Sequence, residues 1–108
     1  MTLSIRIRQL ARLLGDEALP DRLSAGEDTL SDEQTQRLRA SVEAGLPRIA
    51  QGLLEEAVAS DDVVDAASAD AFLEDRLLFL GDLLTEDQRQ VIRQGYREAS
   101  RRWRQQAR

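Results

Sequence analysis

The spacing of the apolar residues is the feature that most constrains the fold of this chain. Leucine, isoleucine, valine and alanine recur every three or four residues, which is the repeat of one face of an α-helix. No segment shows the alternation of period two that is typical of a β-strand. The 108 residues suffice for one hydrophobic core. We therefore predict a single all-α domain, residues 1–108, with four to five amphipathic helices. The first stripe comprises Leu3, Ile7, Leu10, Ala11 and Leu14.

Helix boundaries are marked by local signals. Gly15 follows the first stripe and is a typical helix stop. One short helix is expected between residues 16 and 30, where Pro20 and several acidic residues interrupt the periodicity. Pro47 lacks an N–H group and disfavours helical geometry in the residue before it, so we expect a kink or break at residues 45–47. The helix should then resume to about residue 59.

The helix expected around residues 68–84 is the most hydrophobic of the chain. Ser68 is a candidate for its N-cap. Its apolar residues cover an unusually broad face, so we expect it to be the most buried helix. That face consists of Phe72, Leu73, Leu77, Leu80 and Leu84, and is broadened by Leu78, Phe79 and Leu83. The face of the last helix consists of Val91, Ile92, Tyr96, Ala99 and Trp103.

Two short motifs have the spacing of a capping box. Ser31 precedes Gln34 by three residues, and Thr85 precedes Gln88 by the same interval. In such a box the hydroxyl and the amide side chain each bond the other residue's backbone N–H. Both motifs therefore predict helix starts, with acidic residues in the first turn that suit the helix dipole.

The two motifs lie within a longer internal similarity. Residues 19–39 match residues 73–93 without gaps, at a period of 54 residues that is half of the chain. This predicts a duplicated helix–cap–helix unit, with repeats at 1–54 and 55–108. The alternative is convergence, because two helices with similar caps in a Leu-, Arg- and Asp-rich chain resemble one another.

The same motifs resemble a family signature. Leu30, Ser31 and Gln34, and likewise Leu84, Thr85 and Gln88, are similar to the LTxxQ motif of Spy/CpxP-type periplasmic chaperones. The first copy has serine where that family has threonine. The resemblance implies a cradle-shaped helical homodimer that holds unfolded client proteins without ATP.

The composition excludes most common catalytic groups. The chain has no Cys, His or Lys, and all 15 basic residues are Arg. Thiolate, imidazole and Schiff-base chemistry are therefore absent, as are Cys- and His-based metal sites. Asp61, Asp62 and Asp65 lack the spacing of a calcium loop and are better interpreted as an acidic helix start. We predict a protein that is not an enzyme and has no cofactor.

Charge is strongly segregated along the sequence. Residues 1–54 carry seven Arg and eight acidic residues, a net charge of −1. Residues 55–88 carry one Arg and eleven acidic residues, a net charge of −10, and residues 89–108 carry seven Arg and one acidic residue, a net charge of +6. The basic block binds an anion, a nucleic acid or an acidic partner, or it pairs with the acidic block within a hairpin or across a dimer. The remaining alternative is that both blocks are solvated helix faces.

These patterns favour a helical protein-interaction module that forms a homodimer and acts as an adaptor, regulator or assembly factor. The chaperone and the nucleic-acid or anion-binding protein are the alternatives. The N-terminus lacks a continuous apolar stretch, which favours a cytoplasmic protein, whereas a chain cleaved from its signal peptide would be periplasmic. The partner-binding candidates are Phe72, Phe79, Tyr96, Arg97, Arg101, Arg102, Trp103, Arg104 and, at the end of the basic helix, Arg108.

Overall fold

The computed structural model describes residues 2–23 and 30–106. Within these two stretches the chain is all-α and forms no strand, which confirms the predicted fold class. It has six α-helices there rather than four to five, because the break at residues 45–47 divides residues 32–59 into two separate helices. The short helix expected between residues 16 and 30 is present as well. The helices are α1 (Thr2–Leu14), α2 (Leu19–Leu23), α3 (Asp32–Ala44), α4 (Leu46–Ala59), α5 (Ala66–Leu80) and α6 (Glu86–Gln106), with a 3₁₀ turn at Gly81–Leu83 before α6.

Helix α4 lies at the centre of the core. Its neighbours are α1, which runs antiparallel to it, and α6, which runs parallel to it. Helix α5 returns the chain between α4 and α6 and is antiparallel to α6. The buried residues of α4 are Leu46, Ile49, Ala50, Leu53, Leu54 and Ala57.

The expectation that the helix after residue 68 is the most buried was wrong. Only three residues of α5 are buried, and the side chain of Leu78 is 81% exposed. Leu78 lies one residue after the buried Leu77, about 100° around the helix, so it points away from α4. The helix also ends at Leu80. Leu83 and Leu84 are buried, but they belong to the segment that follows the helix.

Both predicted capping boxes are confirmed. The Ser31 hydroxyl accepts a hydrogen bond from the Gln34 N–H at 3.1 Å, and the Ser31 N–H donates to Gln34 Oε1 at 2.8 Å. The same reciprocal pair joins Thr85 and Gln88, at 3.1 and 3.0 Å. The break at Pro47 is also confirmed. Pro47 occupies the first turn of α4, where its missing N–H has no helical partner to lose.

The sequence predicts Ser68 as the N-cap of α5, and this prediction is wrong. Asp65 holds that position, and its carboxylate accepts a hydrogen bond from the Ser68 N–H at 2.8 Å. Ser68 is instead the third residue of the helix, and its hydroxyl accepts from the Asp65 N–H at 3.0 Å. The hydrogen bonds from Ser68 hold the pKa of Asp65 below its usual value.

An arginine from α1 closes the C-terminal end of α5. Arg6 donates from Nε to the Phe79 carbonyl at 2.9 Å and from Nη2 to the Leu80 carbonyl at 2.7 Å. It also forms an ion pair with Asp82 at 2.6 Å. The last carbonyls of a helix have no partner within the helix, so Arg6 satisfies two of them and ties α1 to the turn before α6.

The internal repeat stays a prediction. Leu19 and Leu73 are both buried, as are Leu38 and Ile92, which are equivalent positions in the two copies. The preceding helices differ greatly in length, however: α2 has five residues and α5 has fifteen. Part of the first copy, residues 24–29, lies outside the described residues.

Candidate functional site

Helix α6 carries most of the predicted partner-binding residues, and the fold divides them among three environments. Tyr96 is fully buried, and its hydroxyl donates to the Ala69 carbonyl of α5 at 2.7 Å. Burial, with the charge of Asp70, raises the pKa of its phenol. Tyr96 therefore holds α6 against α5. As a buried residue it cannot contact a partner at the surface, although the sequence analysis named it as a partner-binding candidate.

A groove runs between the parallel helices α4 and α6. Its two walls present every fourth residue of each helix. Each wall spans thirteen residues, which is twelve helical steps or a length of about 18 Å. The residues are Leu46, Ala50, Leu54 and Val58 on α4, and Val91, Gly95, Ala99 and Trp103 on α6.

Gly95 allows this close approach of the two helices. A Cβ atom at position 95 would lie 3.1 Å from the Cβ of Ala50, which is tighter than ordinary van der Waals contact. Sequence reasoning missed this residue. The signal was present, since glycine costs about 1 kcal/mol relative to alanine inside a helix and its presence there needs a packing reason.

The ends and rim of the groove expose apolar side chains. Val58 is 44% exposed, Val91 is 49% exposed and Trp103 is 44% exposed. Val91 and Trp103, which the sequence places on one face with Ile92, are therefore much more exposed than that buried residue. Both belong to the groove, where α4 covers only part of each. Three charged residues accompany them: Glu55, Glu98 and Arg102.

The opposite side of α6 forms a second depression, of about 370 Å³, against the first turn of α5. We call it the arginine cleft. It contains the exposed side chains of Arg97, Arg101 and Arg104, together with Ser100, which is 8% exposed. Ala66 and Asp70 of α5 form the remaining wall. Arg102 thus lies apart from the three other candidate arginines, and Arg108 lies outside the described residues.

The ion pairs of the acidic block involve arginines other than those near the C-terminal end of α6. Arg93 contacts Glu74 at 2.9 Å, and this hydrogen-bonded pair raises the pKa of the Arg93 guanidinium. Further pairs join Arg76 to Glu56 and Arg89 to Glu86, besides that of Arg6 with Asp82. Within the part of the chain that the structure describes, Arg97, Arg101, Arg102 and Arg104 form no ion pair. The expected pairing of the basic block with the acidic block is therefore found for Arg89 and Arg93 and not for these four.

The two phenylalanine candidates lie on α5, away from both the groove and the cleft. Phe72 is partly buried and packs against the core, and the Arg76 guanidinium lies 4.9 Å from its ring centre. This distance is that of a cation–π contact. Phe79 is 38% exposed near the C-terminal end of α5.

The residues of the LTxxQ-like motifs serve in helix caps. The leucine that precedes each capping residue faces the core: Leu84 is buried and Leu30 is partly buried. Gln88 does more than its capping role: it is 5% exposed, and its Nε2 donates to the Arg39 carbonyl at 3.3 Å and to Glu43 at 3.2 Å. It thereby joins α6 to α3, a contact that the local motif could not reveal.

Acidic residues do not gather into a metal site in residues 2–23 and 30–106. The same residues contain no helix that is both long and apolar enough to cross a bilayer. Comparison with known proteins adds no further constraint on function: no family model matches the sequence, and neither a curated protein nor a solved structure is significantly similar to it.

Proposed function

We propose that this chain is a non-enzymatic helical interaction module that forms a homodimer through the groove between α4 and α6. The supporting observation is the partial exposure of Val58, Val91 and Trp103 along one continuous groove. Aromatic and aliphatic anchors in a shallow apolar depression are typical of protein interfaces, and tryptophan is among the residues that contribute most to binding energy.

A second copy of the chain is the occupant that the charges of the groove favour. Glu98 and Arg102 are one helical turn apart on α6 and carry opposite charges. In a two-fold symmetric dimer with antiparallel α6 helices, Glu98 of one copy lies opposite Arg102 of the other, and the reverse pair forms by symmetry. A surface that carries both charges at this spacing is complementary to itself.

The dimer leaves the arginine cleft free on the other side of each α6. The module would then present two equivalent basic surfaces to a further partner, as an adaptor, regulator or assembly factor does. This arrangement needs no catalytic group, which agrees with a chain that lacks Cys, His and Lys.

Light scattering coupled to size exclusion tests the proposal. The wild-type chain should elute with the mass of a dimer, and Trp103→Asp and Val58→Asp should each give a folded monomer, because a carboxylate would be buried without a partner in the interface. Leu78→Asp is the matched control: Leu78 is 81% exposed on α5, outside the groove, so this variant should stay dimeric. A monomeric wild type at 100 to 200 μM (roughly the upper range for a weak interface) would contradict the proposal.

An ATP-independent chaperone is the second candidate. Apolar side chains outside the groove favour it, because exposed apolar residues could hold an unfolded client: Ile5, Val64 and Leu78 are 55%, 81% and 81% exposed. In this case Leu78→Asp, and not Trp103→Asp, should weaken the suppression of client aggregation. Equal suppression by wild type and by an inert protein of the same size would exclude this candidate.

A further inference from the structure

We infer that the arginine cleft binds a phosphate dianion. Arg97, Ser100, Arg101 and Arg104 follow one another at i, i+3, i+4 and i+7, which places them on a single face of α6. This face is directed towards the start of α5. Three guanidinium groups within two helical turns repel one another, so a bound anion would relieve a repulsion that exists in the free protein.

The arginines of the cleft have their hydrogen-bonding capacity available. In the described part of the chain, none of these three guanidinium groups takes part in an ion pair or a side-chain hydrogen bond. Arg93, one turn before the cleft, is by contrast engaged by Glu74 and Glu86. Arginine binds phosphate through two parallel N–H donors, and several such groups can share one tetrahedral anion.

Ser100 is the second, independent observation. The residue is 8% exposed and lines the cleft, and its hydroxyl makes no hydrogen bond with any described residue. Every buried side-chain oxygen and nitrogen of the described residues has a partner, so the Ser100 hydroxyl opens onto the cleft and has a hydrogen bond to offer there. A phosphate oxygen in the cleft would accept it.

The walls of the cleft favour a compact terminal phosphate over a nucleic-acid backbone. Asp70 contributes one carboxylate to the wall, and the acidic residues Asp61, Asp62 and Asp65 precede α5. An extended polyanion would meet these carboxylates, whereas a single phosphate would contact the three arginines and Ser100. The N-terminus of α5 is not needed as a donor, because Asp65 already accepts from the Ser68 N–H.

The inference does not rest on the proposed dimer, since the cleft and the groove lie on different sides of α6. Val58→Asp should therefore abolish dimerisation without weakening phosphate binding. Arg101→Gln should weaken phosphate binding and leave the dimer intact. Failure of one proposal would leave the other intact.

Titration with inorganic phosphate, followed by amide chemical shifts at constant ionic strength, tests the cleft. We expect saturable shifts confined to the start of α5 and to residues 97–104. Arg101→Gln should weaken binding by about tenfold or more, the loss expected for a hydrogen bond between charged groups. Ser100→Ala should weaken it by a smaller factor. Arg102→Gln is the matched control, because Arg102 faces the groove. The affinity of this variant for phosphate should stay within about twofold of that of the wild type.

A titration with phosphoserine identifies the source of the phosphate. Tighter binding of phosphoserine than of inorganic phosphate would indicate a phosphate monoester on a larger molecule, and equal binding would indicate free phosphate. Equal losses in Arg101→Gln and Arg102→Gln would overturn the proposal. So would stronger binding of a single-stranded oligonucleotide than of phosphate, because either result would indicate a diffuse basic surface.

Discussion

Gly95 of α6 lies directly against Ala50 of α4, so that a Cβ atom added to the glycine would come within 3.1 Å of the alanine Cβ. This contact sets the distance between the two helices and therefore the depth of the groove. The next residue, Tyr96, donates from its hydroxyl to the Ala69 carbonyl of α5. The depth of the groove thus depends on one small residue.

Gly95→Leu should lower the free energy of unfolding by about 1–3 kcal/mol, because the larger side chain must separate α4 from α6. Urea unfolding followed by circular dichroism measures this change. Ala40→Leu is the control, since Ala40 is exposed on α3 and should tolerate leucine within about 0.5 kcal/mol. Equal effects at the two positions would show that the helices are not in tight contact at Gly95.

The two capping boxes should respond unequally to the same substitution. Gln88→Glu removes the donor to Arg39 and Glu43 and places a carboxylate beside Glu43, at a site that is 5% exposed. We expect a loss of about 1–3 kcal/mol in the free energy of unfolding at pH 7. Gln34→Glu, the matched variant, should cost less stability than Gln88→Glu, because Glu serves equally well at the third position of a capping box.

Protonation of the introduced glutamate distinguishes the proposed cause from a packing defect. The loss in Gln88→Glu should shrink as the pH falls below 5, because a neutral carboxyl group can donate and no longer repels Glu43. A loss that is constant from pH 7 to pH 4 would contradict the hydrogen bonds described for Gln88.

The ion pair between Arg6 and Asp82 should contribute its full stabilisation above the pKa of a free aspartate. The hydrogen bond from Arg6 holds the pKa of Asp82 below its usual value, so the pair stabilises the fold near neutral pH and is lost as the pH falls through that lowered pKa. Asp82 is largely exposed, so Asp82→Asn should cost at most about 1 kcal/mol at pH 7 and progressively less as the pH falls towards 2. Chemical unfolding across this range measures the difference.

Asp75→Asn is the control for that series. Asp75 is exposed on α5 and forms no ion pair with a described residue, so its replacement should change the free energy of unfolding at pH 7 by less than about 0.5 kcal/mol. If the two variants lose stability in parallel, the contact with Arg6 is not the source of the acid sensitivity.

The sequence predicts this fold well wherever the signal is local. The caps at Ser31 and Thr85 and the break at Pro47 depend on residues within one helical turn, and all three were correctly located. Burial was harder to predict, because the apolar breadth of α5 does not tell which side meets α4. Leu78 and Leu77 have the same side chain, yet one is 81% exposed and the other 2%.

The candidate surfaces were predicted only in part, for the same reason. Helical periodicity places Tyr96 and Trp103 on one face, but α5 covers the first and α4 covers only part of the second. The division of the arginines between groove and cleft depends on where the start of α5 meets α6. Ser100 had no sequence signal of its own, since one serine among arginines in a helix indicates neither burial nor a missing hydrogen bond.

The fluorescence of Trp103 as a function of protein concentration tests the central claim most directly. Trp103 is the single tryptophan of the chain, lies in the groove and is 44% exposed in the monomer. If two copies pair through this groove, its emission should shift to shorter wavelength as the concentration rises, with the same midpoint as the change in mass. An emission maximum that stays constant while the mass doubles would contradict a dimer formed through this groove.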